Sequence, residues 1–237
     1  MKIDVFLTAE EVKQKEISNS NVIVIDVLRA TSVMVTAIAH GVSKIYPYES
    51  IEEVREASLT SSCCILCGER KGLKIEGFDY GNSPLEYQTE KIKNREMFMT
   101  TTNGTRALSN IKGKNNKIWI ASFLNISTVL SFLEKEEKDC IIVCAGTENH
   151  FSLDDALCAG MIIEKLSNYE KTDIALALEQ IAKTSINVKE SLKNTKHYRY
   201  LKSIGLEKDL EFCCHLNTYP LLLEYKRETN SIFAVTK

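Results

Sequence analysis

NVIVIDVLRATSVMVTAIAH, residues 21–40, runs from an apolar strand through Asp26, Arg29, Thr31 and Ser32 into a helical segment. The same order recurs outward along the chain. Strands are predicted over 2–6, 21–27, 44–48, 63–67, 97–101, 117–121 and 140–145, and helices over 9–16, 31–40, 51–59, 105–112, 126–136 and 154–167. This alternation predicts an α/β fold, a mostly parallel sheet covered by helices on both faces. After Tyr169 the pattern turns helix-rich, up to a strand over 219–225, a turn at Thr229-Asn230 and a short apolar run over 232–235. One domain, 1–237, is expected, with 170–237 able to form a helical subdomain packed on the sheet. Only three prolines and no Gly/Ser-rich linker argue against an independent boundary.

Composition narrows the function classes. The 237 residues are 44% apolar, enough for a substantial core, and the net charge is −2 with Lys and Arg spread along the chain, which does not favour nucleic acid as a partner. The start, MKIDVFLTAEEV, lacks the apolar core of a secretion signal, and no apolar run approaches the roughly 20 residues that span a bilayer. A cytoplasmic protein, away from membranes, is expected. The eight cysteines then read as reduced thiols. Cys64 and Cys67 form a CxxC without a second one, and the pair reads more simply as part of a buried strand.

Chemistry-bearing residues follow the predicted strands, where α/β proteins gather their ligands. Asp26 can hold Mg²⁺ and Arg29 can clamp an oxyanion, although Thr31 or Ser32 also suits a helix N-cap and Asp26 with Arg29 an ion pair. Glu69, Arg70, Asp79, Asn82 and Ser83 lie in a glycine-punctuated stretch that reads equally as a ligand loop or as a solvated one. Thr102, Asn103, Gly104, Thr105 and Arg106 open a helix, where free N–H groups and hydroxyls make a nest for an anion or simply a capped turn. Ser122 and Asn125 follow one further strand, and Thr147 another. Asp154 reads as a helix N-cap, which leaves Asp155 for metal binding or acid–base work. His40, His150, His197 and His215 have no mutual metal-ligand spacing, and none is singled out.

Taken together, VIDVLRATS from Val24, GER from Gly68, GFDYGNSP from Gly77, TTNGTRAL from Thr101, SFLN from Ser122, VCAGT from Val143 and FSLDDALCAG from Phe151 resemble the 2-phosphosulfolactate phosphatase family of coenzyme M biosynthesis. The resemblance continues more weakly through His197-Tyr198-Arg199-Tyr200-Leu201, with Tyr198 where the pattern has Gly and Asn217 where it has Asp. It implies Mg²⁺-dependent hydrolysis of (2R)-2-phospho-3-sulfolactate to 3-sulfolactate and phosphate. On that reading Asp26, Glu69 and Asp155 hold the metal or activate water, with Arg29 beside them. Arg70, Asn82, Thr102, Asn103, Gly104, Thr105, Arg106, Ser122, Asn125 and Thr147 then receive the substrate.

The sequence lacks the second Asp of a DxD aspartyl-phosphate motif, and position 150, where a CxxxxxR loop has its Arg, is His, so direct attack by water on Mg²⁺ is the expected course. Two other phosphate or anion readings stay open: a phosphatase of another small anionic phosphoester, and a non-catalytic binder of small organic anions. The second has no use for a carboxylate set beside its ligand unless a cation intervenes. A thiol redox protein ranks last. The apolar helices and late β segment leave room for a homodimer.

Overall fold

The computed structural model describes residues 1–61 and 63–235. Its strands are β1 (Lys2–Phe6), β2 (Asn21–Ile25), β3 (Lys44–Tyr48), β4 (Cys64–Arg70), β5 (Leu73–Lys74), β6 (Glu96–Thr100), β7 (Lys117–Ala121), β8 (Cys140–Cys144), β9 (Glu170–Lys171), β10 (Leu223–Lys226) and β11 (Ser231–Ala234). Its α-helices are α1 (Ala9–Lys13), α2 (Ala30–Ala39), α3 (Ile51–Ser58), α4 (Gly104–Asn110), α5 (Ile126–Leu133), α6 (Leu153–Lys165), α7 (Asp173–Thr184), α8 (Val188–Leu192), α9 (Lys196–Ser203) and α10 (Glu207–Cys213). The strands form one 11-stranded sheet in the order β5-β4-β6-β3-β11-β10-β7-β2-β8-β1-β9. The predicted α/β class, a mostly parallel sheet with helices, is what the chain adopts. Among the described residues no helix is long and apolar enough to cross a membrane.

The sheet consists of two parallel blocks, β4-β6-β3 and β7-β2-β8-β1-β9, joined through the antiparallel β10–β11 hairpin, with β5 antiparallel to β4 at one edge. The late strands lie within the sheet, where Asn230 turns the hairpin in the left-handed conformation at φ 45°. Three antiparallel pairings in succession reverse one block relative to the other, and α2 packs with residues of both blocks in one core. Each residue of α2 from Ala30 to Ile38 is buried, and its three hydroxyls, on Thr31, Ser32 and Thr36, donate to backbone carbonyls, as befits a helix enclosed in a core. Val24, Ile120 and Val143 of one block share that core with Ile45, Ile65 and Met97 of the other.

Residue alternation divides β2 between two cores. Val22 and Val24 face α2, while Ile23 and Ile25 face the layer built by α5, α6 and α7 with Tyr198, Leu201 and Leu210 from α9 and α10. Each such buried Val or Ile contributes about 1.5–3 kcal/mol. The other block covers its far face with Val54 of α3 against Phe98.

Local chemistry shifts three predicted boundaries. β2 stops at Ile25 because the Asp26 carbonyl accepts both the N–H (2.9 Å) and the hydroxyl (2.8 Å) of Thr31. β4 runs on through Glu69 and Arg70, which pair with Lys74 and Leu73 in a hairpin and not in an open loop. α6 starts at Leu153 behind Ser152, so Asp154 is a helical residue and not the N-cap. Cys67, Cys140, Cys144, Cys158 and Cys213 are buried free thiols, each pushed up by burial, which leaves the redox reading without support from them.

Candidate active site

The ends of β2, β4, β6 and β8 meet α9 around a cavity of about 230 Å³. Asp26, Arg29, Glu69, Asn82, Thr102, Asn103 and Thr147 line it, as do Leu28, Lys71, Phe151, Lys196, His197, Tyr200 and Leu201. Asp26, 7% exposed, accepts the Ala30 N–H on Oδ1 at 3.2 Å. Its Oδ2 has no protein hydrogen bond among the described residues. A Cβ built on Gly104 would stand 2.9 Å from that Oδ2 and 2.6 Å from the Ala30 Cβ, so α4 approaches Asp26 only because residue 104 lacks a side chain.

Glu69 ties two loops together. Its Oε2 accepts the Gly72 N–H and its Oε1 the Thr102 N–H, both at 2.8 Å, and it is 6% exposed. Beside it, Gly68 lets β4 press on β6: a Cβ there would lie 2.1 Å from the Thr100 carbonyl oxygen. The Arg29 guanidinium is held on two sides. It pairs with Asp209 of α10 at 2.5 Å and donates to the Gly72 carbonyl at 2.7 Å, while Asp209 also accepts the Ser83 hydroxyl at 2.7 Å. Arg29 therefore braces the cavity wall, and its ion pair is with Asp209, not with Asp26.

On the opposite wall, His197 Nδ1 lies 3.1 Å from Thr147 Oγ1 and 3.6 Å from Asp154 Oδ2. The Thr147 hydroxyl donates to Ser152 Oγ at 3.1 Å, and the Ser152 hydroxyl donates to Asp154. Burial is the largest influence on each acid here. It raises Asp26 to about 7 against the opposing charge of His197, and raises Asp155 as well, with the charges of Asp154 and Asp26 adding to it. Asp154 is pushed up by burial, yet the nearby His197 and the Ser152 hydroxyl bring it below its ordinary value. Burial works against the charge on His197, but Asp154 and Asp26 together hold its pKa above the usual histidine value.

Half of the sequence-predicted set lies elsewhere. Asp155 is buried behind the cavity, its two oxygens accepting the Val27 (2.8 Å) and Gly146 (3.0 Å) N–H groups, so it fastens the ends of β2 and β8. Arg70 turns to the Glu69 and Glu49 carbonyls and the Thr100 hydroxyl. Ser122 and Asn125 cap each other at the turn before α5, and Asn125 also donates to the Ile120 and Leu221 carbonyls. Thr105 exchanges hydrogen bonds with Thr101, and Arg106 lies outside the lining, with Nε and Nη2 buried and without a partner among the described residues. Sequence reasoning passed over His197 and Asp154; the signal was the run from His197 to Leu201 in the family pattern. Of the two departures from that pattern, Tyr198 is a buried core residue, and Asn217 accepts the Ser127 N–H at 2.8 Å in the first turn of α5.

Among the described residues no group of three or more His, Cys, Asp or Glu gathers as a metal site. Glu69 and Asp155 accept backbone N–H groups on both oxygens and Asp155 lies outside the cavity lining, so Asp26, Glu69 and Asp155 are not gathered as one ligand group. Three hard oxygens on the cavity do lack a protein partner: Asp26 Oδ2, and the buried Oδ1 atoms of Asn82 and Asn103. Mg²⁺ takes one or two protein oxygens and completes its shell with water and phosphate, and this donor chemistry fits it.

The family model for 2-phosphosulpholactate phosphatase matches residues 6–228. A Clostridium perfringens protein named as a probable 2-phosphosulfolactate phosphatase is 43% identical over 233 residues, 95% of this chain and 94% of its own length. A Clostridium acetobutylicum protein of the same name is 40% identical over 95% of this chain and 97% of its own length. A third, from Clostridium botulinum, is 43% identical over 90% and 92%. With a family model spanning nearly the whole chain and relatives of this identity, the chain belongs to the 2-phosphosulpholactate phosphatase family.

Proposed function

We propose that the chain hydrolyses (2R)-2-phospho-3-sulfolactate to 3-sulfolactate and phosphate with Mg²⁺, as the coenzyme M route requires. The observation that carries this reading is the meeting, in one cavity, of unpartnered oxygens from Asp26, Asn82 and Asn103 with the cationic side chains of Lys71, Lys196 and His197. A substrate with a phosphate, a carboxylate and a sulfonate needs cations on several sides, and an organic-anion binder gains nothing from a buried carboxylate facing its ligand.

Asp26 and Asn82 are the residues that would hold Mg²⁺. Bound there, the ion would neutralise phosphoryl charge and make a water molecule more acidic. Asn103 and the Thr102 backbone border the same space, and Glu69 keeps their loop in place by accepting the Thr102 N–H. Leu28, Phe151 and Leu201 limit the water that shares it. The test is phosphate release from 2-phospho-3-sulfolactate and a panel of small phosphoesters, with Mg²⁺ and with EDTA. Mg²⁺-dependent release that Asp26→Asn abolishes is expected; release unaffected by EDTA or by Asp26→Asn would overturn the metal assignment, and no release from any ester would overturn the phosphatase reading.

A further inference from the structure

The hydrogen-bond chain on the α9 side of the cavity fixes which nitrogen of His197 is free. Thr147 has one hydroxyl proton and spends it on Ser152 Oγ, and Ser152 spends its own on Asp154. Thr147 Oγ1, 3.1 Å from His197 Nδ1, is therefore left as the acceptor, with the Asp154 carboxylate 3.6 Å away on the same side. Nδ1 must carry a proton. Nε2 makes no hydrogen bond to a protein group among the described residues, and the ring lines the cavity that holds Asp26. Asp154 and Asp26 favour imidazolium and Arg29 opposes it, while Lys71, Lys196, Glu69 and Glu148 line the same cavity as the ring.

Resting on the phosphatase reading, we propose that His197 is the general acid of this site, giving its Nε2 proton to the ester oxygen that leaves phosphorus, with Asp154 as its positioning residue. In the step, the water oxygen bonds to phosphorus as the phosphorus–ester oxygen bond breaks. The departing oxygen takes the Nε2 proton and leaves as the alcohol. Water's two hydrogens go with the phosphate, which releases one to solvent, and neutral His197 regains one from solvent. Its position suits this task as well as attraction of the anion: its free nitrogen is paired with no protein group among the described residues, while its other nitrogen is held by a hydroxyl already oriented by Ser152, with the buried Asp154 carboxylate beside it.

An alkyl phosphate has a poor leaving group that needs this proton, whereas p-nitrophenyl phosphate does not. Purified wild type, His197→Gln and Asp154→Asn, matched by circular dichroism and melting temperature, are compared on 2-phospho-3-sulfolactate and on p-nitrophenyl phosphate. For His197→Gln we expect kcat on the alkyl ester to fall about 10²–10³-fold, as loss of a general acid does, and kcat on the aryl ester to fall at least about tenfold less. For Asp154→Asn the alkaline limb of the alkyl-ester kcat profile moves to lower pH, because removing the carboxylate lowers the His197 pKa. Equal losses on both esters, a rise in KM alone, or no change would each overturn the general-acid role. A wild type inactive on both esters would overturn the phosphatase reading itself, and the role of His197 with it.

Discussion

Asp26 is placed where its charge is costly without a cation. Burial raises its carboxyl to about 7, against an ordinary 3.8, so between those values the folded chain holds a proton that the unfolded chain has released. Stability contributed by this group is therefore lost as pH rises from about 4 to about 7. Asp26→Asn keeps an oxygen for the Ala30 N–H and removes the titration. In EDTA, urea unfolding of the Asn variant should gain on wild type between pH 4.5 and 7.5, by about 4 kcal/mol at most at 1.36 kcal/mol per pH unit. Mg²⁺ should raise the melting temperature of wild type at pH 7.5 and leave the variant unmoved. An equal Mg²⁺ shift in both proteins would remove Asp26 from the metal site. Glu69 is the contrasting acid. Both of its oxygens accept backbone N–H groups, so Glu69→Gln turns an NH₂ toward an N–H and should cost about 1–3 kcal/mol in urea unfolding.

At the scale of elements, most of the sheet was legible. Three predicted strands, 2–6, 44–48 and 117–121, coincide with β1, β3 and β7, because an apolar run bounded by polar residues is a local signal. What the sequence did not reveal was where β10 and β11 pair. A strand's neighbour depends on which edge remains open after the rest has folded, and that information is not local. The candidate site divides along the same line. Asp26, Arg29, Glu69 and Asn103 stand at or just past strand ends, where position alone implicates them, and Asn82 lies in a glycine-punctuated loop, whereas His197 lies on a helix whose approach to the cavity is a tertiary event. Arg70, Ser122 and Asn125 occupy equally suggestive positions, but the nearest unpaired backbone groups claim their side chains. The hairpin placement has its own consequence. Ile232 is fully buried and is the β11 residue paired with β3, so Ile232→Ala should cost about 2–5 kcal/mol by denaturant unfolding, far more than a terminal strand on a sheet edge would. A loss below about 0.5 kcal/mol would show that the hairpin is dispensable to the sheet.

For the molecule as a whole, one buried contact connects the two ends of the chain across the site. Arg29, directly after β2, reaches Asp209 on α10, with side chains 2% and 5% exposed, and Asp209 also holds Ser83. Removing one member of such a pair strands the other charge in the interior, which typically costs about 3–5 kcal/mol. The effect on Asp209→Ala should not be confined to stability. α9 and α10 pack against each other through Leu201 and Leu210 in one core, and α9 carries His197 and Tyr200 to the cavity. Loosening α10 should therefore speed amide hydrogen exchange through 196–213, while β1, β2 and β8 keep their protection at low denaturant. KM for the phosphoester should rise with it, since Lys196 and His197 lose their fixed distance from Asp26. Arg29→Met combined with Asp209→Leu should recover much of the stability, because neither charge is then left buried. Exchange in 196–213 that stays at the wild-type rate in Asp209→Ala would mean that α9 and α10 are held by their apolar contacts alone, and that the ion pair plays no part in keeping the cavity closed.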